Sequence, residues 1–201
     1  MTEKRTIHNM QACLSSAVQL LATHGSQLTT HFRRLLLCLS LAFTAVSAHA
    51  GEMNVTVEIP ALDVAEYHRP YVAIWVEHPD HSVAADLAVW YQTDPKKEDG
   101  TQWLKDLRQW WRRSGRSQKM PIDGVTGATR PVGEHALVFN TGKQPLAKLP
   151  AGKYALVVES VREVGGRELL RLPFELPATD RQRATLHGKT ELGAVTLELT
   201  P

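Results

Sequence analysis

Cysteine is almost missing from this chain: there are two, Cys13 and Cys38, and both fall in the first fifty residues. Long hydrophobic runs are missing as well. The longest, Leu35 to about Val46, falls short of the ~20 residues that a membrane-spanning helix needs. There is no G-x-S-x-G nucleophile elbow, no P-loop and no G-x-G-x-x-G fingerprint, which argues against hydrolytic or nucleotide-dependent activity of the chain's own. An excess of charge of one sign is lacking too. The formal net charge of +2 depends on Lys4, Arg5, Arg33 and Arg34 near the front, and beyond residue 50 there are 19 basic and 20 acidic side chains. The basic pI therefore carries no implication of nucleic-acid binding.

What stands at the front is a secretory signal. Arg33 and Arg34 form a positive n-region, Leu35 to Val46 an apolar h-region, and Ala48-His49-Ala50 a small-x-small end, so cleavage is expected after Ala50. The stretch ahead of Arg33 is longer than such signals carry, and translation from Leu28 is one explanation. Cleavage removes both cysteines, so the exported chain is expected to hold no disulfide, thiolate metal site or cysteine nucleophile. This fits a bacterial periplasm. Residues 51–201 suit one domain with one core.

Seven segments within that domain read as strands: 53–59, 71–78, 86–92, 135–140, 153–163, 167–176 and 193–200. Pro60, Pro79-Asp80, Asn140-Thr-Gly142 and Gly165-Gly166 punctuate them, the last as a hairpin turn. The expectation is a mostly β fold, an antiparallel β-sandwich of immunoglobulin or fibronectin type. One amphipathic helix is expected in "TQWLKDLRQWWRRSG", with Trp103, Leu104, Leu107, Trp110 and Trp111 on one face, Asp99 and Gln102 as a capping box and Gly115 as a stop. The tryptophans are read as packing on the sheet; the other possibility is that one ring stays exposed to stack on a flat cofactor.

Between helix and fourth strand lies "DGVTGAT", Asp123 to Thr129. On residue types alone it is an Asp-Gly turn with a threonine-rich loop, exposed and approachable through Gly124, Gly127 and Ala128. Position by position it also resembles Asp-Gly-x-Ser/Thr-Gly/Ser-Ala-Thr, the recognition motif of bacterial flavin transferases, which join FMN from FAD to the final threonine. That resemblance implies FMN bound covalently through a phosphoester to Thr129. Asp123, Gly124, Thr126, Gly127 and Ala128 would then shape the loop for the transferase. Successive backbone N–H groups around glycine form a nest for the phosphate, and Arg130 pairs with it. More widely, "WLKDLRQWWRR", "RPVGEHALVF" and "LPAGKYALVVESVRE" are similar to a family of predicted periplasmic proteins of unknown function, often encoded beside PepSY-type transmembrane reductases and proposed to carry flavin. The resemblance implies a β-sandwich electron carrier with such a reductase as partner.

Three other groups are ambiguous. Arg108, Arg112, Arg113, Arg116 and Lys119 either favour an anionic reduced flavin or its phosphate, or are a solvated face complementing a helix end. His135 either approaches the flavin ring and shuttles a proton, or faces water at a strand start. His78 and His81 flank Asp80 without an evident third ligand, and no metal is expected there. Two function classes follow: a periplasmic electron-transfer flavoprotein, without independent catalytic activity, in which the cofactor supplies the redox chemistry; or a non-redox periplasmic sandwich that binds a partner or small ligand.

Overall fold

The computed structural model describes residues 51–94 and 96–201. The signal peptide, its cleavage after Ala50 and the Leu28 start lie outside the described residues. Nine strands form two sheets: β1 (Glu52–Ile59), β2 (Tyr71–Glu77), β3 (Val83–Tyr91), β4 (Thr126–Ala128), β5 (Gly133–Asn140), β6 (Gly152–Val161), β7 (Arg167–Leu176), β8 (Gln182–His187) and β9 (Ala194–Thr200). The four-stranded sheet has the order β5-β1-β9-β8 and the five-stranded sheet β4-β3-β2-β6-β7. The expected β-sandwich is present, and seven of the strands lie where alternation placed them. Pairing is antiparallel except between β3 and β4, which run parallel.

Alternation sets the core. Met53, Val55, Val57 and Ile59 of β1 and Val195, Leu197 and Leu199 of β9 point inward against Val72, Ile74, Val76, Leu156, Val158, Leu172 and Phe174. Each such side chain contributes about 1.5–3 kcal/mol when fully removed from water. Strand β2 departs from alternation because it is covered on both faces, as the near-continuous apolar run YVAIWV requires. Its Ala73 and Trp75 belong to a second cluster outside the sandwich, with Val89, Tyr91, Val157, Leu104, Leu107 and Trp110.

That outer cluster is roofed by the helical segment, which is not the single helix expected. A 3₁₀ stretch (Gly100–Asp106) precedes a short α-helix, α1 (Arg108–Arg113), and Leu107 between them has ψ 69°, which breaks the hydrogen-bond ladder. The fully buried residues Leu104, Leu107 and Trp110 recur every third position, so the burying face follows 3₁₀ spacing. Trp103, placed on the buried face by helical periodicity, is 44% exposed. No capping box forms: Asp99 accepts from Thr101 N at 2.9 Å, and Gln102 Nε2 donates to the Asp99 carbonyl. Gly115 is not a left-handed stop either; its lack of a side chain admits the Trp110 ring, whose Cζ3 would stand 2.4 Å from an added Cβ.

Three carboxylates on the sheet's outer face fasten α1. Glu159 of β6, wholly buried, accepts from Gln109 N and from Trp110 N at 2.9 Å, satisfying helix-start donors that would otherwise lack partners. Asp86 of β3 accepts from Trp110 Nε1 at 2.9 Å and from the Ser114 hydroxyl. A β-bulge between the Ile74↔Ala88 and Trp75↔Asp86 pairs inserts one residue into β3, and this parity change brings Asp86 to the helix side. Glu77 of β2 takes Arg113 Nη1 at 2.7 Å, Arg171 Nε at 2.6 Å and His81 Nδ1 at 2.9 Å. The Gly165-Gly166 hairpin joins β6 to β7, but its left-handed residue is Val164, at φ 53°.

Candidate functional site

The segment Asp123–Thr129 was expected as a free loop. It is instead a turn followed by β4, the edge strand of the five-stranded sheet. In the turn, Ile122 O accepts from Val125 N at 3.2 Å and Thr126 N at 2.9 Å, and Thr126 Oγ1 accepts from Ile122 N at 2.8 Å. Gly124 sits at φ 69° with open space where a side chain would be, so its glycine answers a conformational need. Asp123 is exposed beside it.

Strand β4 then pairs Thr126, Gly127 and Ala128 with Val89, Trp90 and Tyr91. Outside that ladder, Val89 N donates to Val125 O at 2.9 Å and Thr129 N to Tyr91 O at 3.1 Å. The amides of Val125, Thr126 and Thr129 are thus already spent. The expected phosphate nest around glycine is not formed by them, because sheet pairing has claimed the same donors. Thr129 is half-buried, and its hydroxyl takes no hydrogen-bond partner among the described residues.

Trp90, nearly fully buried, organises the surroundings. Gly127 lies against it, where an added Cβ would come 3.2 Å from Cδ1. The exposed Arg130 places its guanidinium carbon 5.2 Å from the indole centroid, a cation–π separation. From β5 across the sandwich edge, the His135 ring meets Trp90 edge-on, with centroids 5.9 Å apart at 77°. His135 Nε2 is 2.7 Å from Pro131 O; a carbonyl only accepts, so Nε2 carries hydrogen and Nδ1 is the nitrogen left to exchange a proton. On the other face of β4, a cavity of about 550 Å³ is lined by Tyr91, Gln92, Asp94, Lys97, Asp99 and Thr126–Ala128. Burial pushes the Tyr91 phenol up, partly offset by its hydrogen bond with the Thr126 side chain.

Sheet pairing therefore gathers Thr126, Gly127, Ala128, Thr129, Arg130 and His135, together with Trp90 and Tyr91, which the sequence reading treated only as strand residues. Their contact with the motif is a long-range parallel pairing with no local signature. Arg112 and Arg113 are not part of the site. Arg113 is bound to Glu77, which pairs with Val83, and Val83 lies six β3 residues from the rung holding Thr126, about 20 Å at strand rise. Arg112 bonds Gln109 along the helix at 2.8 Å. His78 packs on Tyr154 and His81 is taken by Glu77; no group of three potential metal ligands occurs among the described residues.

Fold and site together define a two-sheet β-sandwich with a helical roof and a modified-edge motif, and no helix among the described residues is long and apolar enough to cross a membrane. Residues 52–194 match the family model described as "Predicted periplasmic protein (DUF2271)", and the chain belongs to that family of periplasmic proteins. No curated protein and no solved structure matches the chain.

Proposed function

We propose that this protein is a periplasmic electron carrier whose FMN is esterified to Thr129. The observation that carries the reading is the state of Thr129: a hydroxyl without a partner, at the end of an edge strand, next to Arg130. Attachment is a phosphoryl transfer in which the Thr129 oxygen forms a bond to the FMN phosphorus of FAD, the pyrophosphate bond breaks, AMP leaves, and the hydroxyl proton ends on AMP.

The residues present fit the group. Arg130 is exposed and presents a fork of donors to a phosphodiester. The adjoining cavity, about 550 Å³, falls within the ~300–1,000 Å³ of small-molecule sites and has the Tyr91 ring in its wall. His135 Nδ1 can hold or release a proton at neutral pH. Bound FMN supplies one- and two-electron chemistry. The chain's own contribution is to fix the attachment point through Thr129 N–H to Tyr91 O and to set the charge around it. A flavin transferase is the modifying partner, and a PepSY-type membrane reductase the electron donor or acceptor.

Co-expression with a flavin transferase, followed by acid denaturation, tests this. The protein is expected to stay yellow and to gain the mass of FMN less one water, and Thr129→Ala is expected to abolish both. A colourless, unmodified wild type would leave a non-redox periplasmic binding module as the reading.

A further inference from the structure

A second cavity, of about 490 Å³, opens on the other side of the 3₁₀ stretch, between Trp103, Tyr71 and the β6–β7 hairpin. Four arginines line it: Arg69, Arg108, Arg162 and Arg167. Arg162 is nine-tenths buried; Nε and Nη2 donate to Glu191 at 2.9 and 3.2 Å, while the buried Nη1 has no partner among the described residues. The hairpin folds over this guanidinium so closely that a Cβ on Gly165 would stand 2.6 Å from Arg162 Cζ. Val164, at the rim, is 77% exposed and left-handed, an uncommon backbone state for a β-branched residue.

Charge bookkeeping narrows the ligand. Glu191 pairs with Arg162 and Glu159 with Arg167, while the exposed Glu163 faces the His68 ring at 3.4 Å. Arg69 and Arg108 have no carboxylate within ion-pair distance among the described residues, and Asp106 alone of the lining acids is likewise unengaged. Two guanidiniums and an orphaned buried donor thus face one free carboxylate. A buried donor without an acceptor is costly, and a ligand oxygen relieves it. Trp103, exposed while its neighbours Leu104 and Leu107 are buried, offers a flat wall, with Tyr71 beside it.

We infer that this cavity binds a small planar organic acid, its carboxylate held by Arg69, Arg108 and Arg162 Nη1 and its ring lying on Trp103. The inference is independent of flavin attachment, since Thr129 does not line the cavity. The test is a titration of ¹⁵N-labelled protein with 2-naphthoate, with 2-naphthamide as the uncharged probe and acetate as the ringless one. The Trp103 indole N–H is assigned from its loss in Trp103→Phe. Naphthoate is expected to shift that signal saturably with Kd at or below about 1 mM, with the other two probes at least about tenfold weaker. Arg69→Gln/Arg108→Gln, at two exposed positions, is expected to weaken naphthoate about tenfold or more with an unchanged melting temperature. Thr129→Ala is expected to bind as the wild type does, whatever the state of the flavin. Absence of saturation, equal binding of the amide, or an unaffected double variant would overturn the inference.

Discussion

A few side chains are fixed by what stands against them. Gly115 is one, because the Trp110 ring occupies the space of its missing Cβ. Gly115→Ala is therefore expected to cost about 1–3 kcal/mol through overpacking, read as a lowered urea midpoint with an unchanged slope. Thr126 is another. Its Oγ1 closes the turn on Ile122 N, so Thr126→Val is expected to destabilise the turn by about 1 kcal/mol and to speed amide exchange at Val125 and Thr126. Sequence alone showed Gly124 and Thr129 correctly as a turn glycine and a reachable hydroxyl, since both properties follow from local residue type. It did not show Trp90, whose role arises when a distant segment docks beside β3.

Among the elements, the helical roof depends on carboxylates rather than on its own caps. Glu159→Ala would strand Gln109 N, Trp110 N and Arg167 together, and is expected to cost about 3–5 kcal/mol, the range for breaking a buried charged pair. Loss of Trp110 fluorescence at lower urea than global unfolding would check it. Glu77 and Glu168 set the acid response. Burial raises the Glu77 carboxyl, but His81, Arg171 and Arg113 outweigh burial and hold it below the usual range. Burial likewise raises Glu168, and four backbone N–H groups, from Lys189 to Leu192, overcome it. Both carboxyls bind protons more weakly in the folded state, so their stabilisation is complete above the unfolded value near pH ~4.3 and is lost as pH falls through the folded values. Urea midpoints are expected to drop between pH 5 and pH 3, and less steeply in Glu168→Gln. The elements themselves were unevenly legible. Alternation marks β1 and β9, and two-sided burial marks β2, whereas β8 has little buried surface to print a pattern. The broken helix escaped notice because residues 104, 107 and 110 satisfy a helical period about as well as a 3₁₀ one.

Across the whole molecule, protection is expected to fall outward from β2, which is covered on both faces and paired on both sides, to the edges β4 and β8. Hydrogen exchange monitored by mass spectrometry should find β2 amides slowest and residues 126–128 among the earliest to exchange; uniform protection would contradict that gradient. The two-sheet architecture was readable because its strands carry their inward faces in plain alternation. The parallel pairing was not, since nothing within three residues encodes a partner elsewhere in the chain.

Because β4 is the outermost rung, its far side abuts no neighbouring strand, and Thr129 stands where the chain leaves the ladder. A visiting enzyme can therefore reach this position without dismantling the sandwich, so decoration can come after maturation of the fold. Mixing purified, already folded polypeptide with transferase and FAD should yield labelled product at a rate insensitive to mild denaturant.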